Sequence, residues 1–161
     1  MEKMRNKLWT LPVLMLLAGF LSRQVMFLMY RLFLVRIQGA DGVWSAEIPG
    51  WADGGLYLFN LLLLITAILL TRRLCSRQIV IRSAVILVVY EFVILALEQL
   101  SQRVEGLKWM FSLVYMWGYL PGEVWAQLCS GLSDVIGIWP YAILIQFAPL
   151  LFIPFAKKAC Q

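Results

Sequence analysis

Four apolar runs, separated by short charged or glycine-rich stretches, organise the chain. The first covers about residues 8–29 and continues apolar to Ile37; the others cover 56–71, 83–100 and about 135–156. A helix needs about 20 apolar residues to cross a bilayer. The second run is short at sixteen, but the stems of Arg72 and Arg73 can lie along apolar surface and lengthen it. Hydrocarbon offers no partner to a backbone N–H or C=O, so each run is predicted to be helical. Pro140, Pro149 and Pro154 interrupt the fourth run and predict kinks there.

A fifth apolar run over 107–120 has only fourteen residues and ends at Pro121 and Gly122. That length favours an interfacial or re-entrant element over a full crossing. The predicted fold is therefore all-α: a polytopic integral membrane protein, one domain over 1–161, with four transmembrane helices. An interfacial or re-entrant aromatic helical segment over 107–133 lies between helices three and four. Residues 38–55 read as an outer loop, because Gly39, Gly42, Pro49, Gly50, Gly54 and Gly55 favour turns over regular structure.

Composition narrows the class further. Hydrophobic residues make up 62% of the chain and charged residues 14%, against ~45–50% and about 25% in soluble domains. A fold this small has too little interior to hide that much apolar surface from water, which excludes a soluble domain, a disordered tail and a fibrous repeat. The net charge of +5 does not indicate nucleic acid, since no basic tract is interleaved with exposed aromatics.

The basic residues instead flank the apolar runs and report orientation. Nine of them (Lys3, Arg5, Lys7, Arg72, Arg73, Arg77, Arg82, Lys157 and Lys158) fall on one side of a four-span topology. Four (Arg31, Arg36, Arg103 and Lys108) fall on the other. Both chain ends are thereby read as cytoplasmic, in a membrane of the bacterial plasma type. A cleavable leader is disfavoured, since the first run continues through Val25–Tyr30 with no small-residue cleavage site.

Ionisable side chains within a span cost about 2.5–3.5 kcal/mol each to insert, so each one demands a partner or a function. Arg23, Glu91 and Glu98 meet that description, with Asn60 and Gln146 as the strongest uncharged cases. At 1.5 Å per residue, Arg23 and Glu98 both lie roughly 22 Å from the cytoplasmic boundary and Asn60 roughly 17 Å. Glu91 lies roughly 12 Å in and Gln146 roughly 15 Å. Two tiers follow: Arg23–Asn60–Glu98 above, with Arg23 and Glu98 as an ion pair, and Glu91–Gln146 below. Glu91 and Glu98 are seven residues apart, which puts both on one helix face.

Of the seven tryptophans, Trp44, Trp51, Trp109, Trp117, Trp125 and Trp139 map to the outer half and Trp9 to the inner boundary. An aromatic belt at the headgroup level accounts for most of this. The concentration of Trp109, Trp117 and Trp125 in the outer segment suggests in addition a docking face. Histidine is absent and Cys75, Cys129 and Cys160 are far apart. That removes the commonest general base and metal ligand and leaves no zinc or disulfide framework, so no metal and no cofactor are expected.

The residues point to a non-catalytic membrane subunit or binding protein. Its partners would be the bilayer, a lipid-like ligand, another membrane protein or a second copy of the chain. A small transporter or channel using Glu91, Glu98 and Arg23 is the alternative, and a membrane-embedded enzyme the next.

Overall fold

A computed structural model describes residues 8–38 and 44–156. Three long helices frame it: α1 (Thr10–Phe33), α2 (Gly50–Leu74) and α3 (Arg77–Arg103). At 24, 25 and 27 residues each is long and apolar enough to cross a membrane, and the chain is a multi-pass membrane protein. Every helix buries a narrow stripe at three- and four-residue spacing. The stripes are Leu11, Met15, Ala18 and Ser22 on α1, Leu56, Asn60, Leu64, Ala67 and Thr71 on α2, and Val80, Ala84, Leu87, Glu91 and Ile94 on α3. The remaining surface is exposed yet apolar, as at Leu17 (56%), Leu58 (57%) and Val89 (58%). So broad an apolar coat would drive aggregation in water; against lipid it is the matching surface.

Small residues on the stripes let the backbones approach closely. The Ser83 hydroxyl donates to the Leu8 carbonyl at 2.6 Å, tying α3 to the start of α1. After Phe33 the chain becomes extended. Strand β1 (Val35–Gln38) pairs antiparallel with β2 (Trp44–Glu47), with Val35 opposite Glu47 and Gln38 opposite Trp44.

The outer loop expected over 38–55 is therefore corrected: β2 occupies part of it and α2 begins at Gly50. Pro49 sets the start, its carbonyl accepting the Ala52 N–H at 2.8 Å, and Asp53 in the first turn complements the helix dipole. Gly54 and Gly55 lie inside α2, where the burial of Ala52 and Leu56 on either side outweighs their weak helix propensity.

Beyond α3 the chain folds back in short pieces. A 3₁₀ turn (Glu105–Leu107) leads into α4 (Lys108–Leu113), a π turn (Val114–Gly118), a second 3₁₀ turn (Leu120–Gly122) and α5 (Glu123–Leu128). Its contacts run along α3 from Glu98 to Glu91. Tyr119 meets Glu98, Gly118 packs on Ile94, and Gly122 lies on Glu91, near the midpoint of α3. The segment predicted to be interfacial or re-entrant thus enters the bundle. Val124 joins Leu11, Met15, Val80 and Leu87 in the main core.

The last part of the chain comprises α6 (Leu132–Ile136), α7 (Ile138–Ile145) and a 3₁₀ turn (Ala148–Phe152). The continuous fourth span predicted over 135–156 is not shown. Gly137, with φ +86°, separates α6 from α7. The α-helical hydrogen bonding lapses at Gln146 and Phe147, just ahead of Pro149, which has no N–H to donate. Pro140 sits in the first turn of α7, where proline is tolerated. The last 3₁₀ turn packs on α3 and its Phe152 is buried in the core.

The inserted segment comes close to the frame at Gly19, where a Cβ would stand 1.6 Å from the Leu120 carbonyl oxygen. Backbone cannot swing aside as a flexible side chain can. Gly19→Ala is expected to destabilise the protein by about 1–3 kcal/mol, the range for overpacking a close-packed interior. Gly54→Ala, with no atom within 4 Å of the new methyl, should be neutral or stabilising by up to about 1 kcal/mol. Thermal unfolding of the two purified variants in one detergent checks the contrast.

Candidate functional site

The inserted segment does not fill the bundle. A cavity of about 480 Å³ remains between α1, α3, α5 and α7. Its polar lining is supplied by Arg23 from α1, Glu91 and Glu98 from α3, Tyr119, Glu123 and Gln127 from the inserted segment, and Tyr141 and Gln146 from the tail. Met26, Phe27, Leu95, Ala126, Ala142 and Ile145 complete the walls.

Arg23, Glu91, Glu98 and Gln146, four of the side chains read as inward-facing polar groups, are brought to this one cavity rather than split between two tiers. Asn60 does not line it; it is buried on α2 and donates to the Leu56 carbonyl at 3.0 Å. Arg23 pairs with Glu123, a partner that depth along the long helices does not supply. Glu98 accepts a hydrogen bond from the Tyr119 hydroxyl. Depth along α1 and α3 matched Arg23 with Glu98, but the inserted segment brings a second carboxylate to that level.

The lining donors are largely consumed within the protein. Gln127 Nε2 donates to Glu123 Oε1 at 3.1 Å. The Tyr141 hydroxyl donates to the Ala126 carbonyl at 3.1 Å, and Gln146 Nε2 to the Ala142 carbonyl at 2.9 Å. Two acceptors are left over: Glu91 Oε1 and Gln146 Oε1 are buried without a hydrogen-bond partner. Glu91 is 2% exposed and Gln146 3%. Buried polar atoms normally find partners; Ser22 Oγ, Asn60 Oδ1, Thr71 Oγ1 and Trp125 Nε1 also lack one, but Glu91 and Gln146 are the two such residues that line the cavity, and both leave an acceptor there.

The remaining features carry less chemistry. Among the described residues no group of three or more His, Cys, Asp or Glu is arranged to hold a metal ion. Burial pushes the Cys129 thiol above its ordinary pKa, so at neutral pH it is a thiol and a poor nucleophile. Trp109 (65%) and Trp117 (55%) are exposed. Trp125 is not: it is half-buried, with its ring edge-on to Phe152 at 6.3 Å.

Sequence reasoning missed Glu123, Tyr119, Gln127 and Tyr141. The available signal was Glu123 itself, the only charge between Lys108 and Asp134. An acid so isolated among apolar residues asks for a buried partner. No protein family, curated protein or solved structure matches this chain.

The Arg23–Glu123 pair is mostly shielded, with side chains 14% and 9% exposed. Removing one partner strands the other charge, so Arg23→Ala is expected to cost about 3 kcal/mol. The swap Arg23→Glu with Glu123→Arg should recover much of the stability that either single reversal loses. A double-mutant cycle by denaturant titration in detergent measures the coupling.

Proposed function

We propose that this is a non-catalytic membrane binding protein whose interior cavity receives the polar head of a lipid-like ligand. The cavity carries the reading. Its volume of about 480 Å³ falls in the ~300–1,000 Å³ range of small-molecule sites, and its walls combine apolar surface with a few convergent polar groups. Phe27 lines it and is 54% exposed, so one wall lies at the apolar surface of α1, where a lipid tail could remain in the bilayer. Trp109 and Trp117 offer an exposed aromatic surface for a membrane partner, in a second, weaker role.

The orientation proposed with this reading places the α2–α3 turn in the cytoplasm. Arg72, Arg73, Arg77 and Arg82 flank that turn and are all exposed, and basic residues are retained on the cytoplasmic side. Lys3, Arg5, Lys7, Lys157 and Lys158, which also support cytoplasmic chain ends, lie outside the described residues. In a background without cysteine, Gly106→Cys should react with an impermeant maleimide on intact cells, and Ser76→Cys only after lysis. The reverse pattern overturns the orientation.

A small transporter is the second reading, favoured by the placement of Arg23, Glu91 and Glu98 around one cavity with Glu91 midway along α3. The experiment that separates the two starts from the purified chain. On the binding reading, lipid extracts of the protein contain an amphiphile enriched at least tenfold over the bulk membrane. Ala142→Trp, which fills the cavity from α7, should abolish that enrichment. Bulk lipid alone in both samples overturns the binding reading, and Glu91-dependent ion flux in liposomes would favour transport.

A further inference from the structure

The binding reading leaves the ligand's chemistry open, and the lining specifies it. Besides the buried Glu91, two carboxylates, Glu98 and Glu123, face the cavity against one guanidinium, Arg23, and that guanidinium is already bound to Glu123. The surplus is acidic. It is also a surplus of acceptors, because Glu91 Oε1 and Gln146 Oε1 are buried and unpartnered while Gln146 Nε2 is engaged by the Ala142 carbonyl. An anionic head, such as a carboxylate or phosphate, would meet like charge and bring further acceptors. A quaternary ammonium would bring charge without an N–H. A protonated primary amine brings both positive charge and three N–H donors.

Resting on the binding reading, we propose that the cavity selects an amphiphile with a protonated primary amine head. The amine would donate to Glu91 Oε1 and Gln146 Oε1, near Glu98, and the apolar chain would leave past Phe27. Glu91 stands near the middle of α3 with Gly122 against it. The head would thus be withdrawn from water, and each N–H bond to an otherwise solitary acceptor strengthened by the low dielectric around it.

The test uses decylamine, decyltrimethylammonium and decanoate, titrated onto the purified full chain in a neutral maltoside and read by native mass spectrometry. Decylamine is expected to bind at least tenfold more tightly than either of the other two. Glu91→Gln should lose at least tenfold of that affinity, and Glu98→Gln, checked with it for helicity and elution, covers the case in which the first variant does not fold. Leu69→Ala, on the exposed face of α2, should leave the affinity unchanged. Equal binding of decyltrimethylammonium overturns the donor requirement, and preference for decanoate overturns the charge. If Ala142→Trp still abolishes binding in either case, the amine proposal fails and the cavity reading stands. If binding of all three probes survives Ala142→Trp, both fail together.

Discussion

Hydrocarbon cannot hydrogen-bond, and in this chain that deficiency sorts most of the side chains along the long helices. Each of these helices turns only a narrow stripe inward, and the rest of its mid-span surface is mainly leucine, valine, isoleucine and aromatic rings, with Gln24 and Thr66 as exposed polar exceptions. The outward faces therefore carry no positional information beyond being apolar. Ser22, Asn60, Thr71, Ser83 and Glu91 lie on the inward stripes, because a polar group facing lipid would lose its hydrogen bonds without compensation. Three helices with polar groups on their inner faces do not make a closed structure. Something else has to cover Glu91 on α3 and Arg23 on α1.

The inserted segment supplies that cover, and its irregularity is what allows it to. A straight helix between Lys108 and Leu128 would present one continuous stripe. The π turn, the 3₁₀ turn at Pro121 and the short α5 instead re-aim the chain every few residues. That brings the Leu120 carbonyl against Gly19 and Gly122 against Glu91. Backbone this broken is tolerated at membrane depth only inside protein, and the glycines at these contacts let it come close enough to be shielded. The same breaks stop the segment from packing flush on α3, and the gap they leave is the cavity.

How much of this was legible in the chain depends on whether a residue sits on a regular helix. The three long helices follow from apolar length alone, and Glu91 and Glu98 follow from the cost of charge within a span. Depth in a continuous fourth span, which the structure does not show, turns Gln146 inward, and it does reach the cavity. Rise per residue gives height and not azimuth, however. Arg23 could be matched with any carboxylate at its level, and Glu98 was the one whose height could be computed. Glu123 follows a π turn and a 3₁₀ turn, for which 1.5 Å per residue has no meaning. Trp125 failed for the same reason, since on an irregular segment an indole at the headgroup level and one packed on Phe152 have the same local sequence. At α2, local turn propensity around Gly54 and Gly55 pointed the wrong way, because the burial of Ala52 and Leu56 depends on helices far away in the chain.

Buried atoms without partners also occur at Ser22, Asn60, Thr71 and Trp125, none of which lines the cavity; what sets the cavity lining apart is an asymmetry between donors and acceptors. A void left by imperfect packing is lined by whatever lies nearby, and its polar groups turn toward one another. Here the amide nitrogens of Gln127 and Gln146 and the hydroxyls of Tyr119 and Tyr141 do turn back into the protein. The oxygens of Glu91 and Gln146 do not. Leaving a buried acceptor unpaired costs about 1–3 kcal/mol, and leucine at either position would remove that cost. A wall whose amide and hydroxyl donors are engaged while two of its acceptors are left without a partner, in a space the size of a small molecule, suits a ligand that supplies donors.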